Sequence, residues 1–203
     1  MIDEITQKHL DKARTRGAPA TIAGSSGMVG SYDVEEVRRH TTRALGLELP
    51  IDFTVAQMRQ GQEKLSQKAA VQGLKVVEPP LLALHADPTE DAPHEWRWQL
   101  LLPVRGRAQA DEDAGITVTR VHGGMYVETT TEKGFPDLPN VYTYLLGEFL
   151  PARKQQLTRP LIYHRATDGL DSDDPAKLTL ELFIPFYLSL RQPTELVTRE
   201  TMP

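Results

Sequence analysis

The feature that most constrains this chain is that its sequence repeats itself. The segment WRWQLLLPV (Trp96–Val104) aligns with LTLELFIPF (Leu178–Phe186) at an offset of 82 residues, and RRH (Arg38–His40) aligns with RVH (Arg120–His122) at the same offset. Similar segments in the same order at one offset indicate a duplicated structural unit of about 80 residues. A duplication places a pseudo-two-fold axis between the halves, and a cleft on that axis is a natural place for a ligand.

Two further matches extend the repeat. The segment EPPLLALHADP (Glu78–Pro88) aligns with TRPLIYHRATD (Thr158–Asp168) at an offset of 80, and Phe53 aligns with Phe135 at 82. Each of these phenylalanines lies between an opening strand and a helix of its repeat. We therefore predict that the two rings stand near opposite rims of the cleft.

The repeats define the predicted organisation of the chain. Repeat one spans residues 32–106 and repeat two spans 114–187, so residues 32–187 are predicted to form a single domain. Residues 1–31 are predicted to be a mobile N-terminal arm that contributes little to the fold, the alternative being a flap over a pocket or a dimer contact. Residues 188–203 are predicted to be a short polar tail.

Each repeat is predicted to fold as strand–helix–strand–strand, which makes the chain an α+β protein. Thr54 and Gln57 have the spacing of a capping box that opens the first helix. Asp137 is the predicted N-cap of the second helix, and Pro151 its predicted end. That helix carries one apolar face with helical spacing, formed by Leu138, Val141, Tyr142, Leu145 and Phe149.

The composition excludes several classes of function. The 203 residues carry a net charge of −5 and no cysteine, so there is no basic footprint for nucleic acid and no disulfide or thiolate chemistry. No apolar run is long enough to span a bilayer, and a cytoplasmic location without membrane partners is expected. The six histidines lack a metal-ligand spacing, so neither a metal nor a cofactor is predicted.

Alternation along the final strand indicates where chemistry lies. In KLTLELFIPF the leucines and Ile184 share one face, which is predicted to be core, while Glu181 and Phe183 share the other. On the preceding strand, Tyr163 and Leu161 share a side. A carboxylate beside aromatic rings suits a hydrophobic cation, because the rings attract the cation and the carboxylate neutralises it. The alternative is that Glu181 is a solvated side chain on the outer face of the strand, without a binding role.

The first repeat lacks these polar groups. Aligned with the second repeat, it has Gln99 in place of Glu181, Leu101 in place of Phe183 and Ala83 in place of Tyr163. The fold is therefore duplicated while the polar chemistry is not. The cleft is predicted to carry one charge rather than two.

The second repeat resembles a known family. Its segments VTRVHGGMYVETTTEKG, NVYTYLLGEFL, RPLIYHRATD and KLTLELFIPF are similar to the GyrI-like small-molecule-binding domain, which includes the effector-binding modules of AraC-type and MerR-type regulators. Repeat one fits the same plan less well. The resemblance implies a curved antiparallel sheet with two helices packed on one face and a ligand cleft between the halves. It implies bulky, flat, often cationic hydrophobic ligands.

The resemblance also implies site residues. Glu181 matches the family's buried acidic position and Tyr163 its aromatic on the penultimate strand, whereas Leu161 replaces a glutamate usual two residues before that tyrosine. No counterpart of the regulators' fused DNA-binding helices is expected, because residues 1–31 are too short and too poor in basic residues. The predicted ligand-contacting residues are Glu181, Phe183, Tyr163, Tyr126, Tyr144, Phe53, Phe135 and Leu101.

Two classes of function remain open. The first is a stand-alone multidrug-type binding protein that sequesters or senses hydrophobic, often cationic aromatic compounds. The second is a hydrolase that opens the cyclopropane of DNA-alkylating natural products, with Glu181 and Tyr163 or Tyr126 acting on a water. We favour the binding protein, because only one carboxylate is placed and no second catalytic group is fixed. The sequence does not determine the natural ligand or the oligomeric state.

Overall fold

The structure, a computed structural model, describes residues 32–188. These residues form ten strands: β1 (Val34–Arg39), β2 (Thr42–Leu49), β3 (Lys75–Val76), β4 (Leu81–His85), β5 (Arg97–Arg105), β6 (Ile116–Val121), β7 (Gly124–Thr131), β8 (Gln155–Leu157), β9 (Ile162–Asp168) and β10 (Thr179–Leu188). Helix α1 (Val55–Val71) lies in the first half. In the second half, α2 (Leu138–Tyr144) continues through a π-helical turn (Leu145–Phe149) into α3 (Leu150–Ala152).

The strands form one antiparallel sheet in the order β1-β7-β10-β9-β4-β5-β2-β6, with β3 pairing to β5 and β8 to β10. The two halves correspond strand for strand along this order. At the centre, β4 and β9 pair with Leu82 opposite His164, two positions that are themselves related by the offset of 82. The pseudo-two-fold axis of the duplication therefore passes between Leu82 and His164. The predicted α+β class, with helices on one face of an antiparallel sheet, is confirmed.

Each half has two strands more than the predicted unit. One is a short strand after the helix, β3 or β8, and the other comes from the divided opening segment and is exchanged. The first opening segment divides into β1 and β2, and the second into β6 and β7. Strand β1 pairs with β7 of the other half, and β6 pairs with β2. The exchange interlocks the halves within one sheet.

The bends that make this exchange possible touch each other on the axis. Gly123 donates a backbone hydrogen bond to Thr41 Oγ1 at 3.0 Å, and these two residues are equivalent at the offset of 82. A Cβ built at Gly123 would lie 2.5 Å from the Thr41 nitrogen, so this close approach requires glycine. Because short bends connect strands that are far apart in sheet order, the sheet has to curl. Its inner face is the one that carries no helix.

The two faces of the sheet have separate cores. The larger core lies between the sheet and the helices and takes Val55, Met58 and Leu65 from α1 together with Val141 and Leu145 from the second helix. The smaller core lies on the opposite side, which we call the helix-free face: Ala44, Leu81, Ala83, Leu101, Val121, Tyr126, Leu161, Tyr163 and Phe183. These side chains are buried although no helix covers them, as expected for the inside of a curled sheet.

A buried hydrogen-bonded histidine joins the second helix to the pseudo-two-fold axis. His164 is fully buried in the larger core, and its Nδ1 lies 3.1 Å from the Leu82 carbonyl oxygen, to which it must donate. Its Nε2 then accepts from the Tyr142 hydroxyl at 2.6 Å. Burial lowers the pKa of His164 to about 4 and raises that of Tyr142 well above its ordinary value. The pair is neutral at physiological pH.

The two helices begin differently. Thr54 and Gln57 form the predicted capping box, with Gln57 N–H donating to Thr54 Oγ1 at 3.2 Å and Thr54 N–H to Gln57 Oε1 at 2.8 Å. Asp137 occupies the predicted N-cap position of the second helix, but its side chain accepts no capping hydrogen bond from the backbone. The Asp137 carboxylate instead accepts side-chain hydrogen bonds from Tyr32, Thr131 and Asn140.

The predicted N-terminal arm lies outside the described residues, as does the predicted tail apart from Leu188, which ends β10. In the part of the chain that the structure describes, no helix combines the length and apolar character needed to cross a membrane. Over the same residues, no group of three or more His, Asp or Glu side chains is placed to hold a metal ion.

Candidate functional site

The candidate site is the second-half part of the helix-free face, where three neighbouring strands present aromatic and charged side chains. Strand β10 sits between β7 and β9. Phe183 on β10 is in register with Glu128 on β7 and with Tyr163 on β9. Because side chains alternate across a strand, Tyr126 and Glu128 share this face, as do Tyr163 and Arg165, and Glu181 and Phe183.

Two tyrosines form the floor of the site. Tyr126 and Tyr163 are fully buried, with ring centroids 6.1 Å apart. Both hydroxyls bond to the backbone of His122 at the bend between β6 and β7: Tyr126 donates to the carbonyl oxygen at 2.7 Å, and Tyr163 accepts from the N–H at 3.0 Å. Burial raises the pKa of Tyr126 to about 12 and also raises that of Tyr163. Both phenols are therefore neutral and hold the bend in place.

A layer of charge lies over the third ring, Phe183. The guanidinium carbon of Arg39 is 4.4 Å from the ring centroid, and that of Arg165 is 5.1 Å from it. Both distances are within the range of cation–π attraction. Arg39 Nη2 binds Glu78 Oε2 at 2.5 Å, and Arg165 Nε donates to Glu181 Oε2 at 2.6 Å. We call Arg39, Arg165, Glu78, Glu128 and Glu181 the Arg–Glu cluster.

The Arg–Glu cluster contains three carboxylates and two guanidinium groups. Arg165 Nη1 also lies 3.9 Å from Glu78, so two of the carboxylates are paired. Among residues 32–188, Glu128 makes no ion pair. Desolvation, followed by the negative charge of Glu181, raises the pKa of the Glu128 carboxyl. The cluster thus has surplus negative charge at Glu128, beside Phe183.

Glu128→Gln is expected to raise the melting temperature near pH 7. A carboxyl whose pKa is raised by burial costs stability once it ionises, so removing its charge stabilises the fold. That cost is absent below the unfolded-state pKa of 4.5 and appears as the pH rises. The gain should therefore shrink as thermal unfolding is repeated at lower pH. Glu48→Gln, which neutralises an exposed carboxylate on β2, is the matched control. A lower melting temperature for Glu128→Gln at pH 7 would contradict the prediction.

Small or apolar residues occupy the equivalent positions across the pseudo-two-fold axis. By the register of the strands, the counterparts of Tyr126, Glu128, Tyr163, Arg165, Phe183 and Arg39 are Ala44, Gly46, Leu81, Ala83, Leu101 and Val121. The earlier alignment of Tyr163 with Ala83 is wrong, because Tyr163 faces Phe183 as Leu81 faces Leu101. Ala83 is instead the partner of Tyr163 across the axis. The Tyr163 ring fills the space beside the axis, so the residue opposite it, Ala83, has to be small.

The predicted site residues divide into two groups. Glu181, Phe183, Tyr163, Tyr126 and Leu101 lie together on the helix-free face, in the places that alternation predicts. Glu181 differs from the prediction in being ion-paired. The predicted single charge is also wrong, since two further carboxylates, Glu78 and Glu128, lie nearby.

Phe53, Phe135 and Tyr144 lie on the other face. The placement of Phe53 and Phe135 at opposite cleft rims is wrong, because their ring centroids are 5.5 Å apart and both meet Trp98 edge-on in the helix-side core. Both residues precede helices, and the pseudo-two-fold axis brings the two strand–helix connections together. Tyr144 packs against Tyr32, 5.6 Å between centroids, rather than against the site.

Four members of the Arg–Glu cluster were missed from sequence: Arg39, Arg165, Glu78 and Glu128. A signal existed for two of them, because Arg165 and Glu128 follow Tyr163 and Tyr126 by two residues and so must share their face. Arg39 required knowledge that β1 pairs with β7. Glu78 lies in an irregular segment before β4 and carries no pattern.

The fold and the site together define an internally duplicated α+β domain. One half of its helix-free face carries aromatic and charged side chains. Residues 32–186 match the family model of the GyrI-like small molecule binding domain. The chain therefore belongs to the GyrI-like family of small-molecule-binding domains. No curated protein matches the chain.

Solved structures share the fold at low sequence identity. The crystal structure of the EcmrR C-terminal domain superimposes with a TM-score of 0.62 and 16% identity, covering 77% of this chain and 98% of that one. EcmrR in a cryo-EM structure with DNA superimposes with a TM-score of 0.60 and 14% identity, covering 91% of this chain and 63% of that one. A hydrolase from Listeria innocua superimposes with a TM-score of 0.53 and 12% identity, covering 89% of this chain and 98% of that one. These likenesses establish the fold.

Proposed function

We propose that this protein binds bulky hydrophobic, often cationic aromatic small molecules on the helix-free face, with Phe183 and the Arg–Glu cluster as the contact site. The observation that carries the proposal is that Phe183 already has two cations at stacking distance, within a group of three carboxylates. An aromatic ring attracts a cation through its negative face, and a nearby desolvated carboxylate strengthens that attraction. A flat ligand cation would find both.

Binding on this site requires at least one of the arginines to move. Phe183 is 1% exposed, so its ring is reached only when a side chain that covers it withdraws. Arg39 and Arg165 have long side chains that reach the surface, with 14% and 22% of their side-chain area exposed. Each cation–π contact that they give up is worth about 0.5–2 kcal/mol. A ligand ring of larger area can replace these contacts.

The hydrolase alternative has weaker support from the same residues. The Glu181 carboxylate is ion-paired with Arg165, which occupies its Oε2 atom. The Tyr163 hydroxyl is bonded to the backbone and its raised pKa makes it a poor acid at neutral pH. The Listeria protein is a hydrolase by its own description, and at 12% identity it supports the fold only. We therefore retain binding as the function.

Glu181→Gln is the variant that tests the proposal. It removes a site charge while keeping the shape of the side chain, and it leaves Arg165 without its main partner. Fluorescence titration should show an affinity about tenfold lower for a cationic aromatic dye, corresponding to about 1.4 kcal/mol. A neutral dye of similar shape should be affected little.

A matched control comes from the first half of the same face. The Glu48 carboxylate accepts a hydrogen bond from Gln99 Nε2 at 3.0 Å, and Gln99 is the counterpart of Glu181. Glu48→Gln should leave the affinity for both dyes unchanged. Equal effects of Glu181→Gln on cationic and neutral dyes would show that Phe183 and its carboxylates are not the contact site. Absence of dye binding to the unmodified protein would refute the proposed ligand class.

A further inference from the structure

Arg39 occupies the position that a ligand would take. Its strand, β1, lies at the edge of the sheet, with β7 between it and β10. The side chain nevertheless extends over Phe183 on β10 and ends at Glu78, which precedes β4. The guanidinium group thus comes from an edge strand beyond β7, β10 and β9, and it covers the ring of Phe183. The residue equivalent to Arg39 in the second repeat is Val121, so the duplication itself does not require a cation here.

The contacts of Arg39 define what this position recognises. A guanidinium group is planar, delocalised and weakly hydrated, so it stacks on an aromatic ring while donating hydrogen bonds in its own plane. Arg39 does both, with its carbon 4.4 Å from the Phe183 centroid and Nη2 2.5 Å from Glu78 Oε2. A tetrahedral quaternary cation reproduces the cation–π attraction, but it cannot stack as a plane and has no N–H to donate to Glu78.

We propose that Arg39 is a built-in competitor for the ligand site, and that the preferred ligands are planar cations of the guanidine, amidine and biguanide class carried on an aromatic body. This inference rests on the proposed function and specifies its ligand. The entering cation stacks on Phe183, donates to Glu78 and displaces Arg39 toward solvent. Glu128, which makes no ion pair among residues 32–188, supplies further negative charge beside the ring.

Arg39 can leave without rearranging the sheet. Its residue is the last of β1, at the start of the two-residue bend, and its backbone partner is Gly124. Rotation of its long side chain therefore exposes Phe183 while the β1–β7 pairing stays intact. Arg165 remains bound to Glu181 on the neighbouring strands, so the site keeps one internal cation when Arg39 departs.

The first test is chemical rescue of Arg39→Ala. This variant leaves Glu78 without its closest cation and uncovers Phe183, so it should melt at a lower temperature than the unmodified protein. Added ethylguanidinium should restore part of the loss with a saturable concentration dependence, because it binds the folded state. Ethylammonium and tetramethylammonium should restore little. No rescue, or equal rescue by all three ions, would overturn the inference.

Arg153→Ala is the matched control. The Arg153 guanidinium carbon lies 3.7 Å from the Phe149 centroid, so this variant also removes an arginine from an aromatic ring. Arg153 is exposed, and among residues 32–188 it makes no ion pair with a carboxylate. Ethylguanidinium should therefore not stabilise it. If Arg39→Ala does not fold, Arg39→Gln, which retains much of the side-chain length, replaces it in the same measurement.

The second test is affinity. Titration with a phenylbiguanide or an aryl diamidine should give affinity about tenfold higher for Arg39→Ala than for the unmodified protein, because no internal cation competes. Tetraphenylphosphonium should gain less, since it cannot use Glu78. Unchanged or weaker binding of the biguanide, with cationic dyes still sensitive to Glu181→Gln, refutes the role of Arg39 and leaves the proposed function standing. Rescue by ethylguanidinium without binding of any bulky dye refutes the proposed function and supports the Arg39 site.

Discussion

Replacing Gly134 with alanine should destabilise the domain by about 3 kcal/mol or more, enough to remove much of the stability of an ordinary domain. Gly134 has φ 58° and ψ −148°, a backbone conformation that is essentially restricted to glycine. A Cβ at this position would lie 1.9 Å from the Pro175 carbonyl oxygen, which is backbone and cannot rotate away. The substitution would therefore separate the turn before α2 from the turn before β10.

Gly147→Ala is the control for this prediction. Gly147 lies in the exposed π-helical turn, and a Cβ there would meet no atom within 4 Å. Alanine is a better helix former than glycine by about 1 kcal/mol, so this variant should be neutral or slightly stabilised. Chemical denaturation of both variants measures the difference. Similar unfolding free energies for Gly134→Ala and Gly147→Ala would contradict the structure around Pro175.

Acidification should destabilise the fold through His164. The pKa of this histidine is about 4 in the folded state because of burial, against 6.5 in the unfolded chain. The unfolded state therefore takes up the proton first, and the stability contributed by neutral His164 is complete above pH 6.5. It is lost progressively between pH 6.5 and pH 4. The total is about 3 kcal/mol, at about 1.36 kcal/mol for each unit of difference.

A non-titrating variant isolates this effect from the carboxylates. His164→Gln cannot gain a proton in this range, although it is less stable because it disturbs the bonds to Leu82 and Tyr142. The difference in unfolding free energy between the two proteins should decrease by about 3 kcal/mol from pH 6.5 to pH 4. Parallel stability curves over that range would show that His164 is not held neutral in the folded state.

Alternation and repetition predicted the parts of this fold that depend on local sequence. The face of Glu181 and Phe183, the face of Tyr163 and the capping box at Thr54 all follow from the period of an element or its first turn. Pairing partners do not. Nothing in the segment from residue 32 to residue 49 states that its first part pairs with β7 and its second with β5 and β6.

The site was only partly predictable for the same reason. Members that continue an alternating strand, such as Arg165 and Glu128, were accessible to sequence reasoning. Arg39 reaches the site only because of the strand exchange, and Phe53 meets Phe135 only because the axis brings the two strand–helix connections together. The residue that a strand places on a face follows from sequence, whereas its neighbours from other strands depend on topology.

The strand exchange has a consequence for how the chain is made. Val34 in β1 pairs with Thr129 in β7, so β1 leaves the ribosome before its partner, which is synthesised about 95 residues later. Until then β2 has no β6 and β4 has no β9, and their edges remain open. Open edges favour pairing between chains, and a second nascent copy offers the missing strand in the correct register. Crowded synthesis should therefore favour exchanged dimers, whereas slow synthesis at low density should favour the closed single chain.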